Sequence, residues 1–198
     1  IKIAFQEDFG DGDHSSNSCV PENATGKAEL LVKDEGIIAG VELAERIFHH
    51  FDPTLEINVF IKDGAKVKYG DIVFEVAGKS RSILATERLV LNFMQRMSAI
   101  ATKTNSYVEI MKGTNANILD TRKTTPGLRE FEKWAVRIGG GHNHRMGLYD
   151  MIMIKDNHID YAGGIRQAIE SANKYIKDNK LDIKIEIEAR DEEELKEI

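Results

Sequence analysis

Met151-Ile152-Met153-Ile154-Lys155-Asp156-Asn157-His158 and, further on, Ile183-Lys184-Ile185-Glu186-Ile187-Glu188 decide the fold class. The first is a short, continuous apolar run that ends in polar residues, as suits a strand buried on both faces. The second alternates strictly. Between them Gly163-Gly164 introduces a helix over Ile165 to Lys177. Apolar runs alternating with helices predict βα units, hence an α/β fold with a parallel sheet or barrel. With helices outside, the isoleucines of the second run face them and Lys184, Glu186 and Glu188 point inward. Carboxylates persist there only if paired with cations or used. Glu188, nearest the strand's C-terminal end, falls on the face where barrel enzymes keep their chemistry. A half-solvated strand is the alternative.

Upstream, Ala116 to Leu119 is expected as the first strand of this regime, and Thr125 as N-cap with Pro126 at the first helical position starts a helix that Gly139 ends. Asp191 and Glu194 form a capping-box-like start to a helix that reaches Ile198. Three strands cannot close a barrel, so the barrel is incomplete in this chain. Before about Thr86 the pattern changes. Ala28 to Lys33, Leu55 to Ile61 and Asp71 to Ala77 read as strands, interrupted by an amphipathic helix with Val41, Ala44, Ile47, Phe48 and Phe51 on one face. From Thr86, an expected N-cap, Leu89, Phe93, Met97, Ile100 and Ala101 keep helical spacing and predict a long buried helix. The first part thus reads as a small α+β domain.

Composition sets the outer bounds. The 198 residues carry 27 Lys and Arg against 33 Asp and Glu, a formal charge of -6, with 41% hydrophobic residues and a single cysteine. This is globular composition, not that of a disordered tail or a collagen rod. Lone Cys19 cannot form an internal disulfide. The apolar runs are too short to span a bilayer and the first residues lack a signal-peptide pattern, so a cytoplasmic protein that neither crosses nor is addressed to a membrane is expected. The acidic balance argues against nucleic-acid binding. One segment opposes it: between Thr121 and His158 seven Lys and Arg stand against four acids, which predicts a small-anion site.

Within that segment Arg122 and Lys123 follow a strand, where βα loops gather ligand groups. Arg offers a planar fork and Lys a point charge, a pair suited to two anionic groups; the alternative is a solvated loop. In Gly139-Gly140-Gly141-His142-Asn143-His144-Arg145 the glycines leave the backbone able to approach a ligand, and four hydrogen-bonding residues follow. A metal reading of His142-x-His144 lacks an adjacent third ligand. Lys155 sits at the end of the second strand, able to hold an anion or to form a Schiff base. Asp8, Asp11 and Asp13 lack the closing pattern of a calcium loop and read as a turn.

Taken together and in order, these motifs resemble the quinolinate phosphoribosyltransferases. The resemblance rests on Glu7-Asp8 through Gly12-Asp13, Glu87-Arg88 with Leu91-Asn92, Asp120-Thr121-Arg122-Lys123-Thr124 to Pro126-Gly127-Leu128-Arg129, Gly139 to Arg145, Lys155 to His158, and Ile185-Glu186-Ile187-Glu188. It implies an N-terminal α/β sandwich with a connecting helix over residues 1–103 and the first part of an α/β barrel over residues 104–198. It also implies a reaction of quinolinate with phosphoribosyl pyrophosphate and Mg2+, giving nicotinate mononucleotide, pyrophosphate and carbon dioxide. The family is homodimeric, and the arginine that completes the partner's site matches Arg88. Quinolinate-binding cations match Arg122, Lys123, His144, Arg145 and Lys155, and Glu188 matches a carboxylate near ribose and magnesium; Lys123, Lys155 and Glu188 are the expected catalytic groups. His14 stands where the family usually has Thr, and Ala99 where Gly is common. The later barrel strands, with a magnesium-holding aspartate and a glycine loop for the ribose phosphate, have no counterpart here, so a chain ending at Ile198 is expected to show no turnover. Competing readings are a related phosphoribosyltransferase-like protein such as the one linked to molybdenum transport, a Schiff-base lyase using Lys155 or Lys123, and a non-catalytic binding fragment.

Overall fold

The computed structural model describes residues Ile1–Ile198. In chain order the elements are α1 (Lys2–Asp8), α2 (His14–Cys19), β1 (Thr25–Leu31), β2 (Gly36–Ile37), α3 (Val41–Phe51), β3 (Glu56–Val59), β4 (Lys66–Val67), β5 (Ile72–Lys79), α4 (Ser80–Ile110), α5 (Arg129–Ile138), β6 (Met151–Ile154), α6 (Asp156–Ala162), α7 (Ile165–Asn179), β7 (Lys184–Ile187) and α8 (Glu192–Glu197). They condense into two compact units. The first comprises Ile1–Asp120 and Thr124–Asn143, and the second Thr121–Lys123 and His144–Ile198. No helix is long and apolar enough to cross a membrane.

In the first unit an antiparallel sheet of order β1-β5-β3 is covered by helices. The apolar stripe of α3 buries Val41, Leu43, Ala44, Ile47 and Phe48, with the Phe48 ring edge-on to Phe74 of β5 at 5.9 Å. Fully burying side chains of this size contributes roughly 1.5–3 kcal/mol each. Gly40, at φ +96°, offers α3 no side-chain cap. Asp63 caps it from a distance, its carboxylate accepting from Val41 N at 2.9 Å and Glu42 N at 3.1 Å.

The long helix α4 starts at Ser80, about two turns earlier than the Thr86 N-cap reading. Thr86 is fully buried inside the helix, where its hydroxyl donates to the Ser82 carbonyl at 2.7 Å. A threonine satisfied by the preceding turn has no need to cap. The helix can begin at once after β5 because Ser80 N donates to Ala24 O at 2.9 Å. The Ser82 hydroxyl also donates to Asp52 Oδ2 at 2.7 Å. From there Leu89, Phe93, Met97 and Ala101 are buried as the stripe predicts, while Ile100 is half-buried.

Two further expectations are corrected. Ala116–Leu119 is not a ladder strand: a single parallel bridge joins Leu119 to His142, with His142 N donating to Ile118 O at 2.8 Å and Asp120 N donating to His142 O at 3.1 Å. The glycine run before His142 turns away and supplies no longer partner. Helix α5 begins at Arg129, not beside Thr125, because Gly127 takes φ +80° and closes a turn in which Leu128 N donates to Thr125 O at 3.0 Å. Thr125 N instead donates to Glu132 Oε2 at 3.2 Å.

The second unit contains the βα pattern. β6 and β7 are parallel, pairing Met151 with Lys184, Ile152 with Ile185, Met153 with Glu186 and Ile154 with Ile187. Ile154, Ile159, Ile165 and Ala168 are buried, with Ile152, Ile169, Ala172, Ile185 and Ile187 packed against them. Ile185 and Ile187 therefore face the helices, and Lys184, Glu186 and Glu188 are exposed. Met151–Met153 are half-buried, not covered on both faces as expected, because this sheet has two strands and an open side. At α8, Asp191 Oδ1 accepts from Glu193 N and Glu194 N, while Glu194 reaches back to Arg190 N at 2.7 Å. The reciprocal bond of the capping box falls one residue earlier than the sequence pattern places it.

In the first unit, Asp52 makes an acid-sensitive joint. The Thr54 hydroxyl, then the Ser82 hydroxyl and the Thr54 amide, hold its carboxyl below the ordinary value despite its burial. With the folded-state value the lower one, this stabilisation is complete above the unfolded value of about 3.9 and is lost as pH falls through the folded value. Asp52→Asn should therefore flatten the acid limb. In urea titrations at about pH 7 and about pH 3 the parent should lose more stability than the variant; equal losses would show that Asp52 does not shape that limb.

Candidate active site

The parallel register sets the chemistry of the second unit. β6 ends at Ile154 and β7 at Ile187, which are paired, so Lys155 and Glu188 emerge side by side beyond the strands. Glu188 N continues the ladder to Ile154 O at 2.9 Å, and the Lys155 ammonium forms an ion pair with Glu188 Oε1. Two residues back on the same face of β7, Glu186 Oε2 lies 2.8 Å from His144 Nε2. The His144 side chain is 12% exposed and Glu186 47%, so the imidazole is the more enclosed member. Each of these two carboxylates thus has one basic neighbour, the Lys155 ammonium at Glu188 and the His144 imidazole at Glu186.

Arg145 is buried, and its Nη1 donates to Met151 O at 3.3 Å. The loop after it is folded back by Asp150, whose carboxylate accepts from Met146 N at 2.6 Å and Gly147 N at 2.8 Å. Lys155 N donates to His158 Nδ1 at 2.9 Å at the start of α6, so the histidine of that motif caps a helix. Thr121–Lys123 belongs to the same unit although it precedes α5 in the chain. Lys123 N donates to Thr121 Oγ1 at 3.0 Å, a side-chain turn that leaves the Lys123 side chain exposed and Arg122 half-buried. The second unit therefore contains Arg122, Lys123, His144, Arg145, Lys155 and Glu188. Arg88 is placed in the first unit, exposed on α4.

The glycine run has a different use from the one expected. At Gly141 a Cβ would meet Thr104 Cγ2 and Val136 Cγ1 at 2.9 Å each, and at Gly139 it would meet Thr104 Cβ at 2.8 Å. These glycines let the loop pack against α4 and α5 of its own chain. Around it lies a polar cluster that the sequence does not advertise. Lys133 of α5 is 1% exposed and ion-paired with Asp120, and Asn143 Nδ2 donates to Asp120 Oδ2 at 2.5 Å and to Lys133 O at 2.8 Å. In α5 Lys133 sits among Arg129, Glu130, Glu132 and Arg137, and nothing in the charge pattern marks it and Glu132 as the two that are buried.

No three His, Cys, Asp or Glu side chains converge into a metal cage among the described residues. Asp13 caps α2, accepting from Ser16 N at 3.0 Å. His142 lies in the first unit and His144 in the second. Glu186 and Glu188 each offer an exposed carboxylate of the kind an octahedral Mg2+ takes when it keeps most of its waters.

Fold and site together define a two-unit α/β protein in which a parallel βα pair sets Lys155 and Glu188 side by side beyond its strand ends. The chain belongs to the quinolinate phosphoribosyltransferase family: residues 13–98 match the family's N-terminal domain and residues 100–198 its C-terminal domain. It is 49% identical over its whole length to the Nicotiana tabacum protein named quinolinate phosphoribosyltransferase [decarboxylating] 1b, covering 56% of that protein. It is also 49% identical to the chloroplastic nicotinate-nucleotide pyrophosphorylase [carboxylating] of Arabidopsis thaliana, covering 57% of it. Among solved structures, NadC from Streptococcus pyogenes superimposes with a TM-score of 0.91 at 40% identity, over 99% of this chain and 68% of that one. The chain thus spans somewhat over half the length of these plant relatives.

Gly141→Ala tests the packing account of the loop. The added methyl should destabilise the protein by about 1–3 kcal/mol, read as a lower urea midpoint. An unchanged midpoint would mean that the loop is not packed as described.

Proposed function

We propose that the protein transfers the phosphoribosyl group of phosphoribosyl pyrophosphate to quinolinate with loss of carbon dioxide, yielding nicotinate mononucleotide and pyrophosphate, a step of NAD biosynthesis. The observation that carries this reading is the gathering of Arg122, Lys123, His144, Arg145 and Lys155 in one compact unit of a chain from this family. Two carboxylates on a pyridine ring need several convergent donors, each charge-assisted bond contributing roughly 1.5–3 kcal/mol. In the reaction the ring nitrogen's lone pair forms the bond to ribose C1 as the bond from C1 to pyrophosphate breaks. The adjacent carboxylate leaves as carbon dioxide, its bonding pair remaining on the ring carbon, which takes a proton.

Lys155 and Glu188 change partners in this scheme. At rest they neutralise each other. A substrate carboxylate that engages Lys155, with Lys123 as a second cation, releases Glu188 to face the positive charge that develops on the ribosyl carbon. An ion-paired, 40%-exposed Lys155 suits an anion holder better than the desolvated amine of a Schiff-base enzyme. Mg2+ is proposed to arrive on phosphoribosyl pyrophosphate with Glu188 as its protein donor, neutralising phosphate charge. The active form is proposed as a homodimer in which exposed Arg88 of one subunit completes its partner's site. The proposed location is the cytoplasm, in keeping with an unpaired Cys19; "chloroplastic" in the Arabidopsis protein's name describes that protein.

Calorimetric titration of the whole protein with quinolinate, against nicotinate, which lacks one carboxylate, tests the site. Quinolinate should bind roughly 10- to 150-fold more tightly, and equal affinities would refute a dicarboxylate site. Glu188→Gln should lower kcat well beyond twofold, with quinolinate affinity less affected; a turnover within about twofold, only about 0.4 kcal/mol, would remove Glu188 from the transition state.

A further inference from the structure

We infer that Lys133, with Asp120 and Asn143, is a positioning device for the two segments that carry the anion-binding cations. This rests on the function proposed above. Lys133 is the largest fully buried side chain in the protein, on a helix that contributes no residue to the proposed site. A buried ammonium is costly, and well-packed apolar residues often replace such a pair with no loss of stability. Stability is therefore a weak reason for this one, and its connections supply a better reason.

The cluster joins three stretches of chain. Asp120 N donates to His142 O at 3.1 Å, and the Asp120 carboxylate takes both the Lys133 ammonium and Asn143 Nδ2. The second hydrogen of the Asn143 amide serves Lys133 O at 2.8 Å, and Oδ1 accepts from Arg137 Nη1 at 2.7 Å. The Asn143 side chain thus has one orientation that satisfies every partner. Asp120 lies two residues before Arg122 and three before Lys123, and Asn143 is followed directly by His144 and Arg145. Four of the five proposed quinolinate cations thus leave the chain within three residues of this buried cluster. Their mutual placement is inherited from groups that touch no ligand, and small misplacements of binding groups are costly to recognition.

The test uses the whole protein, quinolinate and nicotinate as probes, and three variants: Asn143→Ala, which leaves the buried ion pair intact; Lys133→Met; and the double variant Lys133→Met/Asp120→Leu, which leaves no lone buried charge. Calorimetric affinities are read beside urea midpoints. A positioning role predicts that Asn143→Ala and the double variant remain folded while the preference for quinolinate over nicotinate falls at least fivefold. A merely structural role would lower the binding stoichiometry, or both affinities alike, and leave the preference unchanged. Folded variants that keep the parent's preference overturn the inference and leave the proposed function standing. A folded parent without that preference overturns the proposed function and this inference with it. Should Lys133→Met fail to fold, Asn143→Ala decides.

Discussion

Between β6 and β7 the parallel ladder sets Ile154 opposite Ile187 and Met153 opposite Glu186, and this register governs the second unit on both faces. On one face Ile185 and Ile187 join the apolar cluster of Ile154, Ile159, Ile165 and Ala168. On the other, Glu186 and Glu188 meet His144 and Lys155. A slip of one residue would put carboxylates among the isoleucines and isoleucines beside the cations. Packing of the isoleucines therefore enforces the placement of the acids. The Lys155–Glu188 pair, about half-exposed, itself contributes little to stability.

The first unit solves a different problem, that of holding irregular chain in a fixed path. α4 runs from Ser80 to Ile110, and other segments are built onto it. Arg96 Nη2 reaches Glu132 Oε1 at 2.6 Å. Burial pushes the Glu132 carboxyl up, but hydrogen bonds from Arg96 and Thr125 together outweigh it and leave the net shift downward. Gly139 and Gly141 lie against Thr104 of the same helix. The loop that precedes His144 and Arg145 is thereby packed at its glycines and hydrogen-bonded at Asn143.

Local pattern was a good guide where a contact depends on neighbours in sequence. The alternation through Ile187 and the stripe of α3 each follow from one face of one element meeting a core, and the run Met151–Ile154 forms the strand expected of it, though without cover on both faces. It misled where a residue has two local uses. Thr86 has the chemistry of a cap, and only the direct passage of β5 into α4 turns it into a buried residue of the helix interior. Thr125-Pro126 reads as a helix start, yet Gly127 adopts a positive φ and the helix waits for Arg129. The glycines before His142 read as space for a ligand, and α4 fills that space.

By itself the sequence determined the strand and helix periods, the clustering of cations between Thr121 and His158, and the family, because these are properties of residue order and spacing. Tertiary structure alone decided that Glu186 meets His144, that Thr121–Lys123 joins a unit from which α5 separates it in the chain, and that Glu132 and Lys133 are the buried pair among the five charged residues of α5. Those facts depend on which surfaces come together across long stretches of chain, and no local period encodes the partner a side chain will find.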